Sequence, residues 1–368
     1  MSLLNLFATQ NLTLWKLSVL STEFGHVIAV VCLFLAIWAL RKKRNFKLFC
    51  LNVFAIVIFL RPMYQAFQIE QGFREQFQKS FQISNLGTPL VSLVQAYFGI
   101  NHSEVEFERF IFSKEPDRDL NLDLYRNTQK PKTSPWLLVI HGGSWEGGDS
   151  EQLPSLNWYL ARHGYSVIAI TYRFSPKHIW PAQKEDVQKA LRFIKAHSSE
   201  FNIDLDHFFV LGRSAGAQLA GVTAFDHPEP GLKGYIALYP PTDLTFGYEA
   251  GDEDDVLQSR SLLRRFMGGT PYDKSSSYKD ASVIEAMIGN PNPVPTLIFH
   301  GKLDRLTWFK HSERLLFRLE ARKSPAVFVK LPWATHGFDF NSNGPGGQIS
   351  THLIESFMNR YKDSPEAP

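Results

Sequence analysis

Ser214 stands in the pentapeptide Gly-Arg-Ser-Ala-Gly at 212–216, directly after the apolar run FFVL and before AQLAGVTAF, which reads as helix. A serine between two glycines in a strand–turn–helix context suits nucleophilic attack. The glycines allow a tight turn in which neighbouring side chains would otherwise collide. The turn lifts the hydroxyl to a helix N-terminus, where free N–H groups and the helix dipole favour developing negative charge. Upstream, HGGSWEGGD (141–149) follows the apolar run WLLVI. Paired glycines after a strand let backbone N–H groups turn inward and hold a tetrahedral oxyanion, each donor being worth about 3–4 kcal/mol. Gly142 and Gly143 are the expected donors, with the Ala215 N–H behind the serine as the third.

A nucleophilic serine needs a base, and the base needs an orienting carboxylate. His336, in the short loop WATHGFDF after the strand-like VFVKLP, is the expected base. Asp304, in HGKLDRLTW, is the expected acid. Both follow strands, so both fall on the rim where open parallel sheets place their sites. His300 reads as a structural hydrogen-bonder one step before a glycine turn, and Asp243 in YPPTDL is the best alternative acid. Asp339 and His352 have little beyond proximity to recommend them; His197 and His207 read as helix-end and loop residues. No H-x-x-x-H or H-E-x-x-H spacing occurs, so no metal site is expected. The glycine loop lacks G-K-[ST], and no G-x-G-x-x-G opens a helix, which argues against phosphate binding.

The elements that must position these groups are short apolar runs alternating with helical patterns. Strands are expected at 105–112, 120–125, 136–140, 166–171, 208–211, 234–238, 296–299 and 326–330. Helices are expected at 152–163, 182–197, 215–225, 308–321 and 348–361. Such alternation implies an α/β fold: a mostly parallel sheet with helices on both faces and an antiparallel lead-in from the first two strands. Residues 241–293, with GDEDD, MGGT and KSSSYKD, interrupt the rhythm and read as a cap over the site.

The N-terminal hundred residues are of another kind. Residues 24–40 form a seventeen-residue apolar run, about 26 Å as a helix and close to a hydrocarbon core once flanking residues help. RKKRNFK follows, and then a second apolar stretch within 46–60, closed by Arg61 and Pro62. The reading is a membrane anchor over 1–62 with one or two transmembrane helices, 24–40 and 46–60, the second also compatible with an interfacial or buried helix. Residues 63–103 are expected to be an amphipathic helical linker, its Phe67, Phe73, Phe77 and Phe81 lying on the bilayer or against the catalytic domain at 104–368. If both runs span, the basic loop is cytoplasmic and the catalytic domain non-cytoplasmic, periplasmic in a bacterium; if one spans, that domain is cytoplasmic.

Of the 368 residues, 44% are hydrophobic and 20% charged, which excludes disorder and low-complexity architectures. A net charge of +3 without a basic stripe gives no support for a nucleic-acid partner. The two cysteines, Cys32 and Cys50, fall one in each apolar run, so no disulfide scaffold organises the chain. A catalytic domain without cysteine fits an oxidising compartment without requiring one.

With HGGSW, GRSAG, HGKLD and ATHGF in order, the chain resembles the α/β-hydrolase superfamily, and within it the hormone-sensitive-lipase-like, small-ester carboxylesterase branch. The stretch YRFSPKHIWPAQKEDVQKALRFI is similar to that branch's tyrosine-arginine-leucine-x-proline segment. The resemblance covers about 104–361 and implies the α/β-hydrolase fold with a Ser214, Asp304, His336 triad in that chain order. Two positions depart from the pattern. Ser144 replaces the third glycine usual in lipase-type members, and HGG-x-W is closer to hydrolases of small esters. Arg213 stands where an acidic or small polar residue is commoner. It reads as a solvated helix-start residue, as the partner of an acid in the cap, or as a clamp for an anionic substrate. Ser144, Trp145 and Arg213 are candidate substrate contacts, and Arg173 and Asp186 a plausible ion pair pinning loop to helix.

These readings combine into a membrane-anchored serine carboxylic-ester hydrolase acting through an acyl-enzyme on a small-molecule or lipid ester, without a cofactor. Amide, formamide or phospholipid hydrolysis by the same triad is the alternative chemistry. An inactive hydrolase domain serving as a membrane-bound binding module is the alternative of another class.

Overall fold

The computed structural model describes residues 2–9, 11–41, 45–87, 89–99, 103–226, 228–290 and 292–362. Eight strands form one sheet: β1 (Glu108–Glu115), β2 (Arg118–Tyr125), β3 (Ser134–Ile140), β4 (Ser166–Ile170), β5 (Ile203–Arg213), β6 (Leu232–Leu238), β7 (Thr296–Gly301) and β8 (Ala326–Leu331). Their order is β1-β2-β4-β3-β5-β6-β7-β8. β1 and β2 pair antiparallel, β2 meets β4 antiparallel, and all later pairs are parallel. Both faces are covered, and the period of two sorts the side chains. In β3, Trp136, Leu138 and Ile140 enter the core on one face, whereas Leu137 and Val139 enter the other.

The expected strands and helices are all present, with ends shifted by a few residues. β5 is the largest extension, running back to Ile203 because Ser134 pairs with it there. Residues 241–293 carry four short helices, Leu244–Ala250, Ser259–Met267, Ser275–Ala281 and Val283–Ala286.

Among its described residues the N-terminal part holds a 3-10 turn, Ser2–Asn5, three longer helices, α1 (Leu12–Glu23), α2 (Gly25–Arg41) and α3 (Phe46–Phe81), and a short one, Leu93–Phe98. α1 and α2 meet at a bend of 79°. The basic positions 42–44 lie outside the described residues. α3 is long and apolar enough to cross a membrane, and only 28% of its most apolar window is buried, unlike the core helix of a globular domain. The α1–α2 pair passes the same test jointly.

The boundary expected at Pro62 falls inside a continuous helix. Proline lacks an N–H, so α3 loses its bond to the carbonyl four residues earlier. Asn5 Nδ2 donates to that carbonyl, Ile58 O, at 3.2 Å. Arg61 Nη1 returns a bond to Asn5 O at 3.1 Å. With the orphaned carbonyl satisfied, the helix continues to Phe81. Its last turns pack on the catalytic domain: Phe73, Phe77 and Phe81 are buried in the core of one sheet face, whereas Phe67 is exposed. The Phe81 and Phe357 rings lie 4.9 Å apart. Burying each such ring stabilises the contact by roughly 1.5–3 kcal/mol.

Candidate active site

Strand β5 ends at Arg213, and helix Ala215–Phe225 starts two residues later. Ser214 between them has φ 52° and ψ −120°, a conformation that costs non-glycine residues about 1–3 kcal/mol. The flanking glycines are required by contact. A Cβ on Gly212 would lie 2.1 Å from Gly216 O, and one on Gly216 would lie 2.2 Å from Ile140 O. The turn is thus wedged against β3, whose end carries the glycine loop.

Ser214 Oγ lies 3.0 Å from His336 Nε2. His336 Nδ1 donates to Asp304 Oδ2 at 2.7 Å. Asp304, fully buried as a side chain, follows β7, and its Oδ1 accepts the N–H groups of Leu306 and Thr307 at 2.8 and 2.9 Å. Burial opposes ionisation of this carboxyl, but the neighbouring His336 and His300 outweigh it and hold Asp304 below the usual carboxylate range. His300 Nε2 donates to Asp304 Oδ2 at 3.1 Å and Thr307 O at 2.7 Å, while Ser312 Oγ sits 2.7 Å from its Nδ1. His300 therefore braces the acid. Asp243 is elsewhere engaged: it caps Leu244–Ala250 through Phe246 N and pairs with Arg314 at 2.6 Å.

The three expected oxyanion donors are placed unequally. Gly142 N–H donates to Gln152 Oε1 at 2.8 Å, so its hydrogen is already engaged. Gly143, at φ +122°, lines the cavity in front of Ser214. Ala215 N is the first helical N–H behind the serine. His141 is buried and stacks on Tyr172 at 4.3 Å. Burial lowers its pKa to about 4, leaving it neutral, and its Nδ1 donates to Gly142 O at 2.6 Å, which fixes the loop.

Arg213 is not solvated. It is 2% exposed, and its Nε donates to Asp339 Oδ2 at 2.6 Å. Asp339 also accepts Tyr239 OH at 2.6 Å, and the Tyr239 ring lies 4.3 Å from that of His336. Its acid thus comes from the loop after His336, not from the cap, because the 3-10 turn Phe338–Phe340 brings Asp339 back over the elbow. Arg173 and Asp186 do pair, at 2.7 Å.

Ser214 opens onto two spaces. One, of about 60 Å³, lies under the cap and is lined by Trp145, Leu244, Phe246, Leu262 and Leu263 among others. Trp145 is held there by stacking on Phe266 at 4.1 Å and by donating Nε1–H to Gln218 Oε1 at 2.9 Å. The other is about 640 Å³ and has α1 for one wall. Ser144 borders both. From α1, Trp15 donates its indole N–H to His336 O at 3.0 Å. No local pattern announces this contact, nor the Gln152 and Asp339 contacts, since each joins residues whose partners are set by the fold, whereas His300, four residues before Asp304, is the structural hydrogen-bonder its position suggests.

A mostly parallel sheet with a strained serine elbow, a histidine and an aspartate at its strand ends defines an α/β-hydrolase. The chain belongs to the family described as BD-FAE, which matches residues 122–319, within the hormone-sensitive-lipase-like carboxylesterases. It is similar to LipM of Mycobacterium tuberculosis, named a probable carboxylic ester hydrolase, with 30% identity over 67% of this chain and 61% of the relative. The esterase LipC of the same organism is 28% identical over 66% of this chain and 62% of its own length. The chain thus spans about three fifths of these relatives. Among solved structures, an esterase from Pyrobaculum calidifontis aligns at a TM-score of 0.59 and 24% identity, over 78% of this chain and 92% of that one. A bacterial heroin esterase aligns at 0.61 and 20%, over 72% and 87%. Both show the same fold.

Proposed function

We propose that the chain is a membrane-anchored serine hydrolase of carboxylic esters. The observation that carries the reading is the hydrogen-bonded series from Ser214 Oγ through His336 to Asp304, starting at a strained elbow. His336 Nε2 takes the hydroxyl proton as Oγ attacks the ester carbonyl, and Asp304 holds the imidazole in the tautomer that accepts it. The Gly143 and Ala215 N–H groups stabilise the oxyanion; Gly142, bonded to Gln152, shapes the loop. The C–O bond to the alcohol then breaks, and the alcohol leaves with the proton from His336. Water, deprotonated by the same nitrogen, releases the acid and restores Ser214.

Anchoring is supported by the apolar faces that α2 and α3 leave exposed, among them Val31, Phe34 and Trp38 on one and Leu51, Phe54 and Val57 on the other. The two helices pack side by side, joined in sequence by the basic run RKKRNFK. With both helices spanning, that loop is cytoplasmic and the catalytic domain lies on the opposite side.

Full-length protein in detergent micelles is expected to hydrolyse 4-nitrophenyl butyrate and to be labelled by a fluorophosphonate. Ser214→Ala should lower turnover by at least about 10³-fold, the scale on which loss of a triad member acts, and should abolish labelling. Unchanged turnover would sink the assignment.

A further inference from the structure

The helix that walls the larger space beside Ser214 belongs to the anchoring region, not to the catalytic domain. Leu12, Trp15, Val19 and Leu20 of α1 line it, together with Phe340. Val19 is 7% exposed and lies deep, whereas Leu12, Leu20 and Phe340 are 47%, 39% and 58% exposed and form a rim. The bend of 79° sets the direction of that rim. If α2 crosses the bilayer, α1 lies close to the bilayer plane, as an interfacial helix does. Leu14 on the helix, and Leu3 and Phe7 ahead of it, are exposed apolar side chains as well. The two spaces beside the serine also differ tenfold in size, about 60 Å³ against about 640 Å³. The larger is in the range of sites that enclose a drug-sized ligand.

Resting on the esterase reading above, we infer that the substrate is a bilayer-resident ester joining a group of a few heavy atoms to a long apolar one. The apolar group enters past α1 into the larger space, and the small group occupies the space under the cap. A long chain dissolved in lipid reaches Ser214 this way without crossing water. A water-soluble ester of two small groups would leave the α1 wall without a partner. α1 is therefore part of the substrate site, and Val19 and Leu20 set the preference for chain length.

The test uses the full chain reconstituted in phosphatidylcholine vesicles. Ethyl acetate is compared with octyl acetate and methyl octanoate, which put the long group on the alcohol and on the acyl side respectively. One of the two long esters should show a kcat/KM at least tenfold above that of ethyl acetate, since each buried methylene is worth up to about fourfold. Val19→Trp, which fills the space, and Leu20→Asp, which places a charge at the exposed rim where the fold tolerates it, should each cut that ratio at least tenfold. Fluorophosphonate labelling of Ser214 certifies that each variant keeps its site. Equal kcat/KM on short and long esters overturns the inference while leaving the esterase reading intact, as does an unchanged ratio in the variants. Failure to hydrolyse any of the three, with no labelling of Ser214, overturns both. For the source of the substrate, hexadecyl acetate and methyl hexadecanoate are confined to vesicles. One of them should be consumed when it shares the protein's vesicle. Consumption at the same rate from separate vesicles overturns lateral entry.

Discussion

Replacing Glu23 with glutamine should remove a large part of the pH dependence of stability between pH 5 and 8. Glu23 ends α1 at the bend into α2 and is fully buried. Its Oε2 accepts Gly346 N–H at 2.9 Å, its Oε1 accepts the Trp333 indole N–H at 3.3 Å, and its carbonyl accepts Asn341 Nδ2 at 2.8 Å. Burial pushes the carboxyl up from 4.5 to about 8; hydrogen bonds from Gly346, Trp333 and Thr22 pull it back, and the charge of Asp339 adds to the push. The folded chain therefore keeps this proton up to about pH 8, while the unfolded chain releases it near 4.5. Between those values the native state binds more protons, so stability falls as pH rises, by up to about 1.4 kcal/mol per unit. Over the whole interval that amounts to about 5 kcal/mol, comparable with the total stability of many domains. Below pH 4.5 the carboxyl is neutral in both states, and above about 8 the deficit stays constant. The amide of the Glu23→Gln variant would be uncharged throughout. The assay is the thermal midpoint of full-length protein in detergent, read by tryptophan fluorescence from pH 5 to 9 for both chains. Other titrating groups act on both, so the difference isolates this one. The variant's advantage should grow by about 5 °C between pH 5 and 8. Parallel profiles would refute the reasoning.

Two further substitutions probe the elbow and its surroundings. Asp339→Asn leaves the Arg213 guanidinium buried without its counter-charge, a change that typically costs 3–5 kcal/mol; the double replacement Arg213→Met, Asp339→Asn should recover much of that loss in the same melting assay. A melting point as low in the double variant as in the single one would show that the uncompensated charge is not the cause. Gly216→Ala puts a methyl where only 2.2 Å separates it from Ile140 O, so strand β3 or the helix must move. Loss of about 1–3 kcal/mol is expected, with slower fluorophosphonate labelling of Ser214; wild-type labelling would mean that the turn does not depend on this contact.

The catalytic sheet was legible because its strands are short, apolar and bounded by turns, and because each candidate residue sits just after one of them. What the sequence hides is the set of contacts between distant segments. Arg213 has the look of a solvent-facing helix-start residue, and nothing within its neighbourhood announces an acid 126 positions away. Pro62 marks a helix end by every local rule, yet Asn5 from another segment takes over the carbonyl that the proline leaves free. Gln152 at Gly142 shows the same limit: two glycines after a strand make backbone N–H groups available, but do not say which of them another side chain will claim.

The division into anchor, linker and catalytic domain also changes once the packing is considered. A tether would touch the enzyme at one point. Here the N-terminal hundred residues touch it along its length: Trp15 at the carbonyl of His336, Glu23 at Trp333 and Gly346, and Phe73, Phe77 and Phe81 in the core beneath the sheet. The three hydrogen bonds lie on the loop that carries His336, at His336 and Trp333, and on the helix that follows it, at Gly346. A movement of α1 would therefore reach the base through a hydrogen bond to its own backbone. Once Glu23 ionises, its charge would also reach Asp339, and through it Arg213 beside the serine. On the proposed anchoring, these contacts would do more than hold the domain at a surface. If α2 and α3 span a bilayer as proposed, their position in it and the geometry of Ser214 and His336 would depend on the same contacts.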